Sequence, residues 1–336
     1  MSSKFALAAR ATSLYSRARA NAGPYLVVGL RTYGVLLALV ILVAAVSIES
    51  DVFLTSDNLL SLTSQWSFTG VIAVGMTFVI LTGGFDLSVA AAFAFCAVTA
   101  AMVAQHHSPM LAFAAALAVG LGVGLVNGVL VTYAKLNPFI ATLGTGLMLT
   151  GGALVWTHNA PILVSGEDFS SLGTGRWHNI PFAGMVLIAF LVVGGLILSK
   201  TIYGQWIYAV GGNSEAATLS GVRTDLVLVS AYVIAGVCSG VGGILGASQL
   251  GSAQGDMDPG LLFDAITIVV LGGTSLGGGY GAMWRTAVGL GILATLNNGF
   301  NLLNLDPNYQ DIFKGAILIG ALSLDSYARR LAQRAR

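Results

Sequence analysis

Charged side chains are scarce in this sequence. Asp, Glu, Lys and Arg together make up only 9% of its 336 residues, whereas about 25% is usual for a soluble domain. Hydrophobic residues reach 56%, and the mean hydropathy is +0.84. This composition excludes an ordinary soluble globular protein. It predicts a polytopic membrane protein, because each spanning helix needs about 20 mainly apolar residues.

The groups that build catalytic or metal sites are also few. Cys96 and Cys238 both lie inside apolar runs, where a free cysteine behaves as a small hydrophobe, so no disulfide framework is expected. No Gly-x-x-x-x-Gly-Lys-Ser/Thr motif occurs, which excludes ATP binding in the P-loop manner. The histidines fall in predicted outer loops without a third ligand at metal spacing, at His106, His107, His158 and His178. We therefore expect no enzyme, no metal and no cofactor. The net charge of +1 gives no sign of a nucleic-acid partner.

Apolar runs predict an all-α fold of about ten transmembrane helices. They cover residues 33–48, 66–82, 87–105, 110–134, 139–156, 181–199, 226–247, 265–276, 283–300 and 312–324. The first run follows a basic segment, so a cleaved signal peptide is the alternative interpretation. Glu49 and Asp51 follow that run in place of a small-residue cleavage site, which favours a retained helix.

Basic residues are distributed unevenly between the loops. With the N-terminus inside, 13 Lys and Arg residues fall on the cytoplasmic side, and only Arg176 and Lys314 fall outside. Because cytoplasmic loops carry the excess of positive charge, both termini are predicted to be cytoplasmic. The predicted organisation is a basic N-terminal segment at 1–32, a transmembrane domain at 33–325 with a cytoplasmic loop at 201–225, and a basic tail at 326–336.

Glycine is abundant, with 44 residues. Small residues let helices approach closely in lipid, where apolar burial provides no driving force between them. Four stretches are predicted to be packing faces rather than a pore: 122–128, 142–152, 239–247 and 288–299.

Ionisable residues inside predicted spans are rarer. Asp86 lies in LTGGFDLSVA, where a Gly pair predicts a helix break. Asp86 and Ser88 are expected to cap the next helix, with contact to a transported substrate as the alternative. Asp264 is similarly expected to cap the span that follows it, or to act at a substrate entrance.

The loop at 201–225 is the one long polar passage assigned to the cytoplasm. It is rich in small residues, which permit close docking of a partner. Asn213 or Ser214 is predicted to cap a short helix that begins at Glu215.

Four ordered segments, 75–95, 136–152, 207–225 and 263–281, resemble the ribose-type sugar permeases of bacterial ABC importers. The resemblance spans roughly residues 71–325. It implies a permease fold in the bacterial inner membrane. It also implies pairing with a second copy as a homodimer, a cytoplasmic ABC ATPase and a periplasmic sugar-binding protein as partners, and contact with membrane lipid.

The resemblance also implies roles for individual residues. The segment at 211–221 would be the helix that couples to the ATPase, through Gly211, Gly212, Asn213, Ser214, Glu215, Ala216, Ser220 and Gly221. Transport-path or capping candidates are Asp86, Ser88, Phe263, Asp264 and Asn298. The chain departs from the family pattern at Ala90, Leu262, Met283 and Trp284. Leu262 replaces a family Glu, which puts a substrate or gating role for that corner in doubt.

Two other classes stay open. Asp86 and Asp264 could serve as proton carriers in an ion-coupled secondary transporter, and the low charge also suits a facilitator of small polar solutes. A membrane enzyme is the least favoured, because no catalytic constellation is present. The sequence does not select one substrate among sugars and polyols.

Overall fold

Long apolar runs fold into helices throughout the residues that the computed structural model describes, 33–164 and 166–334. In chain order these helices are α1 (Tyr33–Glu49), α2 (Ser56–Gln65), α3 (Ser67–Leu81), α4 (Val89–Ala104), α5 (Pro109–Thr132), α6 (Pro138–Trp156), α7 (Glu167–Thr174), α8 (Phe182–Lys200), α9 (Ile202–Gly212), α10 (Ser214–Leu219), α11 (Thr224–Leu250), α12 (Leu261–Leu271), α13 (Met283–Leu302) and α14 (Pro307–Arg334). The predicted basic segment 1–32 lies outside the described residues.

Two short β-ribbons accompany the helices. Strands β1 (Ile162–Leu163) and β4 (Ser252–Ala253) pair antiparallel, as do β2 (Arg176–Trp177) and β3 (Ile180–Pro181). The first ribbon ties the segment after α6 to the segment after α11. These residues belong to predicted outer loops, so the all-α fold class is unaffected.

Each of the ten predicted spans coincides with a helix. Helices α5, α6, α8 and α11 are long and apolar enough to cross a membrane, and α2 with α3 forms a fifth candidate bent by 54°. Helices α1, α4 and α12 are shorter apolar helices. The described part of the chain therefore has a polytopic helical membrane fold, as predicted. α14 continues through the predicted tail to Arg334.

Residues 50–65, between the first two predicted spans, were predicted to be an outer loop; this prediction is wrong in part, because they contain α2. The Thr55 hydroxyl accepts a hydrogen bond from the Asn58 N–H, and Asp57 stands in the first turn. Both features stabilise a helix N-terminus. The apolar content of α2 is too low for its sequence to resemble a membrane-spanning run.

Helix α11 forms the centre of the bundle, where it packs against α5, α3 and α4. Glycine makes this packing close. A Cβ at Gly124 would meet the backbone of Tyr232, and one at Gly243 would meet the carbonyl oxygen of Phe93. The predicted packing faces at 122–128 and 239–247 are confirmed by these contacts.

The other two predicted glycine faces differ from each other. On α13, a Cβ at Gly289 would meet the Ile268 carbonyl oxygen, so the stretch at 288–299 does pack within the bundle. On α6, Gly144 and Gly151 have open space around them within the described structure. The stretch at 142–152 is therefore not an internal packing face over its whole length, and part of it lies on the outside of this chain.

Two transmembrane helices end in the same way. Gly83, after α3, has φ +82°, and Gly273, after α12, has φ +86°. In both caps a positive-φ glycine directs the chain away from the helix, while the last N–H groups bond back to carbonyls in the final turn. The break loops that follow, residues 82–88 and 272–282, meet each other beside the end of α9.

Candidate functional site: a groove, a polar chain and a docking helix

A groove runs between α4 and α6 and is closed on one side by the segment before α12. Its cavity volume is about 230 Å³. The lining is mostly apolar, and it comprises Leu87, Ala90, Ala91, Ala94, Leu143, Gly146, Leu147, Thr150, Gly255, Asp256, Met257, Asp258, Pro259 and Leu262. A concave, mostly apolar lining with a few polar groups is typical of a site that accepts a small molecule.

A chain of buried hydrogen bonds lies beside Leu87, at the end of the groove nearest the first break loop. Ser88 Oγ donates to Asp86 Oδ1 over 2.6 Å and accepts from Asn127 Nδ2 over 2.7 Å. Thr145 Oγ1 donates to Asn127 Oδ1 over 2.7 Å. We call Asp86, Ser88, Asn127 and Thr145 the polar chain. It joins the break loop to α5 and α6.

The predicted helix cap at this position is only partly correct. Ser88 is the residue before α4, but its side chain makes no capping bond. The reason is its backbone conformation, φ −85° and ψ −10°, because a capping side chain normally needs an extended backbone. Asp86 Oδ1 instead accepts the Ser88 N–H over 2.9 Å, so the carboxylate stabilises the break loop rather than the first turn of α4.

Asp264 is not a cap either, and this prediction is wrong. Helix α12 begins at Leu261, which places Asp264 inside its first turn. Its carboxylate pairs with Lys314 of α14, with Nζ to Oδ1 and Oδ2 distances of 3.0 and 3.1 Å. The ion pair ties α12 to α14. Leu262 lines the groove, whereas Phe263 is 60% exposed and is not among the lining residues.

Asn298 belongs to a different part of the bundle. Its side-chain amide exchanges two hydrogen bonds with that of Asn58, at 2.9 and 3.0 Å, and so joins α13 to α2. Asn298 is not among the residues that line the groove. Asp258 does line it, in the loop before α12. Burial raises the pKa of the Asp258 carboxyl above its usual value, while Lys314 and the N–H groups of Gly260 and Leu261 lower it.

Helix α10 is short, well capped at both ends and exposed. Asn213 Oδ1 accepts the Ala216 N–H over 2.9 Å, which confirms the predicted cap, and the helix begins at Ser214, one residue earlier than predicted. At the other end Gly221 has φ +86°, and the Val222 N–H bonds to the Ala217 carbonyl over 3.0 Å. This Schellman arrangement requires a residue that adopts positive φ readily.

Leu219 is the residue of this segment that sequence reasoning missed. It is 84% exposed at the end of α10, although the surrounding loop is polar. Ala217 is the only buried residue of the helix. An isolated large apolar side chain in an otherwise polar segment was the available signal, because exposed apolar groups often mark contact surfaces.

The end of α9 touches the last residue of α3 and the second break loop through backbone atoms. A Cβ at Gly211 would overlap the Leu81 carbonyl oxygen and the Gly279 nitrogen, and one at Gly278 would overlap atoms of Gly83 and Gly211. The Gly279 N–H also donates to the Leu81 carbonyl over 2.9 Å. We call this meeting point of Leu81, Gly83, Gly211, Gly278 and Gly279 the glycine junction. No side chain separates the three segments there.

Residues 58–322 match the sequence profile of a family described as "Branched-chain amino acid transport system / permease component". The chain belongs to this permease family. This match and the relatives described below together confirm the resemblance inferred from the four motifs. The protein is a multi-pass membrane transport subunit rather than an enzyme. Within the described residues, no group of three or more His, Cys, Asp or Glu side chains is placed to hold a metal ion.

Curated relatives match nearly the whole chain. The ribose import permease protein RbsC of Bacillus subtilis is 42% identical over 295 residues, which is 87% of this chain and 92% of the relative. RbsC of Escherichia coli K12 is 38% identical over 296 residues, with the same coverage. The L-arabinose transport system permease protein AraH of Escherichia coli K12 is 36% identical over 299 residues, 89% of this chain and 91% of the relative. No solved structure gives a significant match.

Proposed function

We propose that this protein is the transmembrane permease subunit of a bacterial ABC importer for a sugar or sugar-like small molecule. The sugar assignment is supported by the relatives, which are named as ribose and L-arabinose permeases. A separate cytoplasmic ATPase supplies the energy for transport. The observation that supports this assignment is the exposed helix α10, which is capped at both ends. A short helix held at both ends is suited to transmit force to the membrane domain.

The ATPase docks on α10 through a small, close-fitting surface. Ser214, Glu215 and Ala216 are exposed, and Leu219 supplies an apolar anchor at the end of the helix. The site residues at 211–221 inferred from the resemblance fall into three groups in this proposal. Asn213 and Gly221 shape the helix, Gly211 joins it to the break loops, and the exposed residues of α10 itself meet the partner.

The remaining partners follow from the same assignment. A periplasmic sugar-binding protein delivers the substrate at the outer end of the groove. A second copy of the chain covers the exposed face of α6, where Ile140, Leu147 and Met148 are 70, 69 and 77% exposed beside Gly144 and Gly151. The homodimer lies in the inner membrane among lipid, with both termini in the cytoplasm, as the distribution of Lys and Arg favours.

Co-purification of the ATPase with docking-helix variants tests the proposal. Ala216→Trp adds bulk on an exposed face, and Leu219→Ser removes the anchor without disturbing a buried contact. We expect both variants to insert normally and to lose ATPase capture and uptake. Glu215→Gln is the matched control in the same helix. It should be mild, because an exposed ion pair contributes about 0–1 kcal/mol. Full capture by both the Trp and Ser variants would show that α10 is an ordinary solvated segment.

The substrate class is tested separately. A thermal-stabilisation screen of the partner binding protein should find a pentose, hexose or polyol that raises its melting temperature. Stabilisation by leucine, isoleucine or valine alone would instead assign an amino-acid importer, in line with the family description. Uptake driven by a pH gradient, without ATP or partner proteins, would overturn the ATP-driven mechanism in favour of a secondary transporter.

A further inference from the structure

Helix α10 is connected to the groove through a continuous series of rigid contacts. One residue, Asn213, separates α10 from the end of α9. At the glycine junction, the backbone of Gly211 lies directly against Leu81 and Gly279. Close backbone contacts of this kind leave no flexible side chain to absorb a displacement, and packed interiors are poorly compressible. A shift of α9 is therefore passed to the start of the break loop at 82–88.

The far end of the same loop is fastened to the groove wall. The Leu87 N–H donates to Thr142 Oγ1 over 3.0 Å, and Ser88 reaches Thr145 through Asn127. Thr142 and Thr145 both belong to α6, whose neighbouring residues Leu143 and Gly146 line the groove. The loop thus begins directly after Leu81, which contacts α9, and its other end is bonded to the wall of the groove.

Asn127 is the only member of the polar chain contributed by α5, and it is fully buried. Its amide donates through Nδ2 to Ser88 and accepts through Oδ1 from Thr145. A side-chain amide can make both bonds at once, whereas a carboxylate lacks the donor and an aliphatic residue lacks both groups. Within an apolar bundle such a pair of bonds fixes the geometry, because unmade polar bonds are expensive there.

We propose that Asn127 is a positioning residue that fixes the 82–88 loop to α6, so that displacement of α10 by the ATPase reaches the groove. The inference rests on the proposed function, since it takes α10 as the docking helix. It adds the route by which the movement arrives at the transport path. Asn127 contacts neither the ATPase nor the solute; it acts through Ser88 and Thr145.

The test measures coupling in the complete complex of permease, ATPase and binding protein in lipid vesicles. Asn127→Leu keeps the approximate volume and removes both hydrogen bonds. We expect the variant complex to assemble and hydrolyse ATP, while uptake of ribose or L-arabinose per ATP falls about tenfold, the scale of losing buried hydrogen bonds. A second variant, Thr145→Val, removes the same bridge from the other side. If both substitutions act through the polar chain, the double variant should lose no more uptake per ATP than Asn127→Leu alone.

Thr99→Val is the matched control. Thr99 is a buried threonine of α4 whose hydroxyl bonds only to its own helix, at the Phe95 carbonyl over 2.8 Å. It should keep the wild-type ratio of uptake to hydrolysis. A purely structural role for Asn127 predicts lower yield or melting temperature with an unchanged ratio, and that result would overturn the proposal. So would an unchanged ratio in Thr145→Val.

A second readout does not depend on the sugar. Spin labels at Phe139 on α6, outside the face assigned to the second copy, and at Val193 on α8 occupy exposed positions, while the native cysteines Cys96 and Cys238 are buried. ATP should change the distance between the labels in the wild-type complex, and Asn127→Leu should abolish that change. An equal change in the variant contradicts the role of Asn127. Failure of the wild-type permease to capture the ATPase would contradict the proposed function itself.

Discussion

The two break loops begin alike and end differently. Loop 82–88 and loop 272–282 each follow a helix that finishes at a positive-φ glycine with the same pattern of backbone bonds. Beyond that point, the first loop is held by bonds that involve side chains: Ser88 connects it to α5 through Asn127, and the Leu87 N–H connects it to α6 through Thr142. The second is held mainly by backbone, with Gly278, Gly279 and Gly281 also at positive φ.

This difference shows how one way of ending a helix supports two tasks. Backbone contact through glycine is close and does not depend on the identity of a side chain, so it suits a junction between three segments. Hydrogen bonds between side chains are directional, and they select one neighbour and one orientation. The second loop therefore serves as a rigid seat for α9. The first loop has the additional polar bonds that link it to the groove.

The largest effect is expected at the glycine junction. Gly211→Ala places a methyl group against the Leu81 carbonyl and the Gly279 nitrogen, which are backbone atoms and cannot rotate away. Such overpacking costs about 1–3 kcal/mol or more. We expect strong loss of uptake and of ATPase capture, measured in vesicles and by co-purification.

Gly212→Ala is the control, because a Cβ at Gly212 meets nothing within 4 Å. It should behave like the wild type. Equal activity of the two variants would show that the end of α9 is not seated against the break loops, and the comparison between those loops would lose its basis.

The sequence predicted those features that depend on local pattern. Apolar runs located the spans, and the Gly pair at Gly83 predicted a helix break. The cap of α10 was narrowed to Asn213 or Ser214, and Asn213 is the cap, because its amide acts on a residue three positions along. Contacts between distant segments were not predictable in the same way. Gly83, Gly211 and Gly279 are far apart in the chain, and nothing in their local sequences shows that they meet.

The functional residues show the same division. Asn127 lies in a glycine-rich stretch that was predicted to be a packing face. Its polar role was not predictable from that stretch, because its two partners, Ser88 in the first break loop and Thr145 in α6, are distant in the chain. The capping prediction for Asp264 failed because α12 begins earlier than the apolar run suggested. Its partner, Lys314, is 50 residues away, so no local spacing could reveal the ion pair.

A smaller effect is expected at the two shared caps. Gly83→Ala and Gly273→Ala force an L residue into the left-handed region, which costs roughly 1–2 kcal/mol per residue. A Cβ at Gly83 would make an ordinary contact with the Gly277 carbonyl oxygen at 3.7 Å, and one at Gly273 would meet the side chains of Arg285 at 3.2 Å and Val35 at 3.9 Å. We expect similar, moderate falls in melting temperature of the purified protein. If the Gly273 variant were much less stable than the Gly83 variant, the two caps would not be equivalent.

The smallest effect is expected for Asp86→Asn. Asp86 Oδ1 accepts two hydrogen bonds, from the N–H and the hydroxyl of Ser88. The carbonyl oxygen of Asn can accept the same two bonds, so the loop should keep its shape and much of the uptake should remain. Asp86→Leu removes the acceptor, so the N–H and the hydroxyl of Ser88 both lose their hydrogen-bond partner. We expect this variant to be less stable by about 1–3 kcal/mol, as for other buried polar groups that lose a partner. The two variants should therefore differ clearly in uptake and in melting temperature.

If Asp86→Asn instead abolished uptake at normal expression and stability, a negative charge would be required at this end of the groove. The first break loop would then take part in transport directly rather than through its shape.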